Sequence, residues 1–200
     1  MKDNTNIICF DMDGTIANLY GVEGWLDMIR AEDPTPYAVA EPLVDMDRLN
    51  EVCALLQKAG WEIQVITALS KDASPEYKDA IREAKRAWLE KWGFVYDKFH
   101  GVDYKTPKCE VIRREMPTGM KVYQMCQEYW GREIPEAILV DDEARHTNRW
   151  GWGRTIDPTD GNLIDHLLSL LPQELHEEEE EGIDDWDWCE EEEEEDEDWE

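Results

Sequence analysis

Bases are scarce in this chain. Its 200 residues hold 20 lysines and arginines against 49 aspartates and glutamates, a formal net charge of −29. The deficit is uneven: residues 177–200 carry 18 acids and no base, which leaves 31 acids and 20 bases in 1–176. A field of this sign repels phosphate polymers and anionic lipid, so nucleic acid and membrane surfaces are not expected partners. Long apolar runs are also lacking. Nothing approaches the ~18 residues of a membrane span. The polar opening MKDNTN, followed by only four apolar residues, predicts no secretory leader. The five cysteines, Cys9, Cys53, Cys109, Cys126 and Cys189, are odd in number and form no CxxC pair. That pattern suits reduced thiols in a cytoplasm. The four histidines, His100, His146, His166 and His176, show no zinc spacing. Internal repeats are absent. One C-x5-R match, Cys126 to Arg132, would put Gln-Glu-Tyr-Trp where a cysteine phosphatase needs bare backbone N–H groups, and it is rejected.

What is present alternates. Ile7–Phe10 reads as a buried strand, and Glu62–Ile66 as a second. Between them, about Asp47–Ala59, Leu49, Val52, Cys53 and Leu56 fall on one helical face, with Gly60 as a stop. Ser74 caps the clearest helix, Pro75 suits its first turn, and Gly93 ends it. Its apolar stripe is Tyr77, Ile81, Ala84, Trp88 and Trp92. Further strands are expected at Lys98–Val102, at the run Ala137–Val140 and at 153–157, with helices over Met120–Trp130 and Asn162–Leu171. Strands alternating with helices predict a parallel sheet covered on both faces. Ligands of such sheets bind beyond the carboxyl ends of the strands. Asp11, Thr67 and the Asp141-Asp142 pair each stand at one of those ends.

Carboxylates gathered at one rim repel each other unless a cation lies between them. Oxygen ligands favour a hard divalent ion, magnesium above all, which in turn recruits phosphate. A carboxylate is also a competent nucleophile toward phosphorus. In IICFDMDGT, one aspartate attacking and the other moving protons answers why two acids follow a buried strand so closely. Gly14 lets the turn fold tightly, and neighbouring N–H groups are candidates to cradle phosphate oxygens.

With Asp11-Met12-Asp13-Gly14-Thr15 after a strand, Thr67 ending QVIT, Lys108 in YKTPK and Asp141-Asp142 ending ILVDD, the sequence resembles the haloacid dehalogenase superfamily on its phosphatase side. The match runs from about residue 6 to 170. The resemblance implies Asp11 as nucleophile and magnesium ligand. It implies Asp13 as general acid and base, with its backbone carbonyl on the metal. Thr67 would bind the transferred phosphoryl group, and Lys108, with Lys105 as a close rival, would neutralise it. Asp142 is implied as the stronger metal ligand of its pair, with Asp141 in support. Asp13 separates the chain from the dehalogenase branch, which lacks the second aspartate. Some members carry another acid about four residues after the last signature, where this chain has His146.

The expected whole is a three-layer, Rossmann-like α/β fold with a five-strand parallel sheet. Residues 1–176 form the catalytic domain, with a minimal cap of about 18–46 holding a helix and a Pro-rich loop. Small members with this layout include deoxyribonucleotidases and phage-encoded nucleotide phosphatases. Tyr20, Trp25 and Tyr37 in the cap offer a stacking face for a base, although packing is the commoner use of such rings. The expected activity is magnesium-dependent hydrolysis of a small cytoplasmic phosphate monoester, foremost a nucleoside monophosphate. Its rivals are a phosphatase of nucleic-acid ends and a non-catalytic acidic binder. The 177–200 segment cannot offset its own repulsion and is expected to be a disordered tail, available to a basic protein partner.

Overall fold

The computed structural model describes residues 6–115 and 136–172. The expected helix at 120–130, the rejected Cys126–Arg132 match and the acidic 177–200 segment lie outside these residues. Five parallel strands form one sheet: β1 (Ile7–Phe10), β2 (Glu62–Ala68), β3 (Lys98–Val102), β4 (Ala137–Val140) and β5 (Thr155–Ile156). Their order across the sheet is β3-β2-β1-β4-β5. The expected α/β fold with a five-strand parallel sheet is therefore the observed one. β1 is central, pairing Phe10 with Val65 on one side and with Val140 on the other. All four of its residues are buried, as strands covered on both faces require.

Alternation along β1 sorts the core into two layers. Ile8 and Phe10 face α3 (Met46–Lys58), where Leu49, Val52, Cys53 and Leu56 are all fully buried. α6 (Leu163–Leu168) closes that side through Leu163 and Leu167. Ile7 and Cys9 point the other way, toward Val111 and Ile112 of α5 (Lys108–Glu115) and toward Trp150 and Trp152. The expected last helix is shorter than Asn162–Leu171 because its final residues continue only as turns. No described helix is long and apolar enough to cross a membrane.

Residues 18–46 hold two short helices, α1 (Trp25–Arg30) and α2 (Thr35–Val39), where one helix and a loop were expected. Pro36 near the start of α2 lacks an N–H that the first turn would leave unpaired anyway. This segment is bound to α4 (Pro75–Lys91) at three points. Glu32 accepts from the Ser74 N–H at 2.9 Å and from the Ser74 hydroxyl at 2.7 Å. The Tyr77 hydroxyl donates to the Asp33 carbonyl at 3.1 Å, and the Trp88 indole N–H to the Ala40 carbonyl at 2.6 Å. Ser74 also caps α4 by accepting from the Tyr77 N–H.

Trp88 joins the sheet core to this tether, so its two contributions separate by substitution. Trp88→Phe keeps an aromatic ring, though a smaller one, and leaves the buried Ala40 carbonyl unpaired; it should cost about 1–3 kcal/mol from the lost bond. Trp88→Ala also opens a cavity and should cost about 3–5 kcal/mol. Urea unfolding measures both; a loss below about 1 kcal/mol for Trp88→Ala would show that the tether is not part of the cooperative unit.

Candidate active site

Asp11 is the first residue past β1, and its N–H still donates to the Val140 carbonyl at 2.9 Å. It therefore sits on the line between β1 and β4, where the sheet order reverses and a crevice opens. Asp141 is the first residue past β4, its N–H held by the Ile156 carbonyl. Both carboxylates are buried by the ladder that positions their backbones. Asp142 follows, and its Oδ1 accepts from the Thr15 hydroxyl at 3.0 Å. One oxygen each from Asp11, Asp141 and Asp142 lies within 4.8 Å of the others.

Gly14 makes this approach possible. Its φ is +85°, and a Cβ there would come within 2.6 Å of Asp142 Oδ2 and 2.8 Å of the Tyr20 ring. Its own N–H is committed to the Ala17 carbonyl, and that of Thr15 to the Met12 carbonyl. The contribution of Gly14 is thus space for Asp142.

Two buried lysines balance the acids. Lys108 opens α5, is 2 % exposed, and places its ammonium 2.6 Å from Asp141 Oδ2 and 2.8 Å from Asp11 Oδ1. Apart from this ion pair, the buried Asp11 Oδ1 has no hydrogen-bond partner among the described residues. Burial alone would lower the Lys108 pKa, but Asp11 and Asp141 outweigh it and hold the lysine charged. Lys105 is exposed on the preceding loop, and Lys108 is the lysine brought to the carboxylates.

The second lysine, Lys85, was not anticipated. It lies on α4, fully buried, with its ammonium 2.6 Å from Asp13 Oδ2, 2.5 Å from Thr67 Oγ1 and 3.1 Å from the Ala68 carbonyl. Its signal was in the sequence: it stands four residues after Ile81 and three before Trp88, inside the apolar stripe. A lysine on a buried stripe needs an acid to meet, and Asp13 is that acid. Thr67 accepts from Lys85, a bond that does not use the threonine proton.

The carboxylates titrate abnormally. Burial raises the Asp13 pKa against the pull of Lys85, and Asp11 adds to the rise. Burial also lifts Asp141 to about 6, opposed by Lys108 and helped by Asp11. Asp142 is raised as well, by burial first. His146 is pushed down to about 4, by burial and then by the cations Lys108 and Arg145, so it is neutral near pH 7.

Three clustered carboxylates, an all-oxygen donor set, fit a hard divalent cation. The Asp13 carboxylate is not part of this trio; Lys85 holds it apart.

In front of Asp11 lies a cleft of about 310 Å³, bordered by Asp13, Tyr20, Trp25, Lys108 and Arg145 among others. Tyr20 and Trp25 meet edge to face with centroids 5.2 Å apart. Tyr37, expected with them, is only 5 % exposed and lies under the Lys85 ammonium at 4.9 Å, so it packs and supports the lysine rather than presenting a free face.

No family model matches the sequence, and no curated protein does. Similar solved structures include the Pnkp1/Rnl/Hen1 complex, at 17% identity and a TM-score of 0.44 over 77% of this chain. A second structure of that assembly, titled an RNA repair complex, matches at 18% identity and a TM-score of 0.44, also over 77% of this chain. This chain spans 45% and 42% of those two chains, less than half of each. D,D-heptose 1,7-bisphosphate phosphatase from Burkholderia thailandensis matches at 15% identity and a TM-score of 0.42, over 84% of this chain and 88% of its own.

Lys85→Met should raise the Asp13 pKa further, because the cation that opposes burial is gone. Any step that needs ionised Asp13 then shifts its acid limb upward, by roughly one pH unit or more for a lost buried partner. A pH–rate profile superimposable on that of the wild type would remove Lys85 from the site's electrostatics.

Magnesium should raise the melting temperature more at pH 7.5 than at pH 5. The raised pKa values of Asp141 and Asp142 mean that the folded state takes up protons earlier than the unfolded state as pH falls. Stability without metal therefore declines as pH rises through about 6, and the cation restores what repulsion removes. Protons compete for the same oxygens at pH 5. Differential scanning calorimetry with and without magnesium checks this, and an equal or larger shift at pH 5 would count against the carboxylate trio as the metal site.

Proposed function

We propose that this chain is a phosphomonoester hydrolase of the haloacid dehalogenase type. The observation that supports the reading is convergence: Asp11 past β1 and the Asp141-Asp142 pair past β4 bring three carboxylates together, and the Lys108 ammonium from the start of α5 meets two of them. Asp11 attacks the phosphorus, and the bond to the leaving oxygen breaks. Asp13 gives that oxygen a proton, a role its raised pKa supports. Asp11 then carries the phosphoryl group. Water attacks the same phosphorus, Asp13 takes the water proton, and the bond to Asp11 breaks to release phosphate. Lys108 and the Thr67 hydroxyl hold phosphoryl oxygens. A magnesium-class cation on Asp11, Asp141 and Asp142, together with the Asp13 carbonyl, would neutralise charge on the transferring group.

A nucleoside monophosphate is the substrate this reading favours. Support comes from the cleft's aromatic wall, where Tyr20 is 49 % exposed and Trp25 partly so. The cap's fixed attachment to α4 means that this wall is present before substrate binds, so base recognition needs little ordering of the protein.

Asp11→Asn should abolish phosphate release from nucleotides in the presence of magnesium, since the nucleophile is lost. Asp13→Asn should slow turnover about 10²–10⁴-fold. Phosphate release measured on a panel of nucleotides and sugar phosphates checks both, and near-normal turnover by Asp11→Asn would refute the mechanism.

A further inference from the structure

Beside the catalytic cleft lies a second cavity of about 250 Å³, lined by Tyr104, Lys105, Lys108, Arg145, His146 and Arg149 among others. Among the described residues, no aspartate or glutamate lines it. In a chain with 49 acids and 20 bases, a cavity with four cationic side chains and no acid is not the average surface. The nearby acids are already matched. Asp103 pairs with Lys78 at 2.7 Å, Glu110 with Arg113, and Glu143 with Arg145. Lys105 and Arg149 are exposed and form no ion pair among the described residues. Arg145 is held in place by Glu143 and by the Tyr104 ring, over which its guanidinium sits at 4.5 Å.

The two cavities are neighbours: Tyr104, Lys108, Arg145 and His146 border both, and the Lys108 ammonium is 2.8 Å from Asp11. A small molecule with one group at Asp11 would direct a second group toward Lys105 and Arg149 across the residues that the two cavities share. Lys108 and Arg145 already meet acids, but Lys105 and Arg149 have no paired acid among the described residues, and such cations select phosphate by charge-assisted hydrogen bonds. A polymer would also bring charge over the rest of a strongly acidic surface, which favours a compact ligand.

We infer that the substrate carries a second phosphate, seated in this basic cavity while the first lies at Asp11. The inference rests on the phosphatase reading of Asp11 and narrows its substrate class from a nucleoside monophosphate to a nucleoside bisphosphate.

The test is calorimetric binding to the full chain carrying Asp11→Asn, with magnesium, using adenosine 3′,5′-bisphosphate and adenosine 5′-monophosphate as probes. The bisphosphate should bind about tenfold more tightly, the scale of one or two charge-assisted contacts. Adding Lys105→Ala and Arg149→Ala should erase that preference; both positions are exposed, so the fold is retained. Equal affinity for the two probes, or a preference that survives the added substitutions, overturns the inference. So does tighter binding of a 5′-phosphorylated oligonucleotide than of the bisphosphate, which would make a polymer end the ligand. Wild-type turnover of both probes separates the two levels. No phosphate release from either, with the binding preference intact, refutes the phosphatase reading and supports the second anion site.

Discussion

Everything at the rim of this sheet depends on how buried like charges are tolerated. Parallel pairing brings the carboxyl ends of β1 and β4 side by side, so Asp11 and Asp141 are neighbours because Phe10 and Val140 are. Two unit charges a few ångströms apart at a protein surface repel by about 4 kcal/mol. Lys108 answers that repulsion, touching both acids from the first residue of α5. Lys85 does the same for Asp13 from the middle of α4. Each lysine is itself nearly or fully buried, so neither partner of a pair is tolerable alone. The helices on the two faces of the sheet are thereby bound to its chemistry.

The cations do not cancel the acids completely, and the remainder is informative. Asp13, Asp141 and Asp142 all keep raised pKa values. A purely structural network would satisfy its members, since a half-satisfied buried network is worse than an apolar core. Two lysines against four carboxylates leave a deficit of positive charge. That deficit lies on the Asp11–Asp141–Asp142 side, away from Lys85, where a divalent ion would fit.

The sheet was largely legible because its strands end abruptly. Ile7–Phe10 stops at Asp11 and Ala137–Val140 stops at Asp141, and burial on both faces makes such runs continuous rather than alternating. The lysines were harder to read. Lys105 and Lys108 are three residues apart in a Pro-containing loop, and only the start of α5 at Lys108 decides which one turns inward. Lys85 was read past because the stripe of α4 was judged by its apolar members, and a lysine in that stripe passes for surface. Thr67 was placed at a strand end, but β2 runs on to Ala68, pairing Thr67 with Gly101. The helices of 18–46 span only six and five residues, too short for a periodic pattern to declare itself.

The distribution of charge would also let an acidic chain hold an anionic substrate of the proposed kind. A net charge of −29 opposes the approach of any phosphate from a distance. Exposed charges are screened beyond about 8 Å at physiological ionic strength, so that opposition fades near the protein while local geometry takes over. At contact range a ligand of the proposed kind would meet Lys105, Lys108, Arg145 and Arg149 in the lining of the basic cavity. The far field lowers the rate of encounter for all anions alike. The near field sets which of them stay, and it rewards charge gathered in a small space over charge spread along a chain.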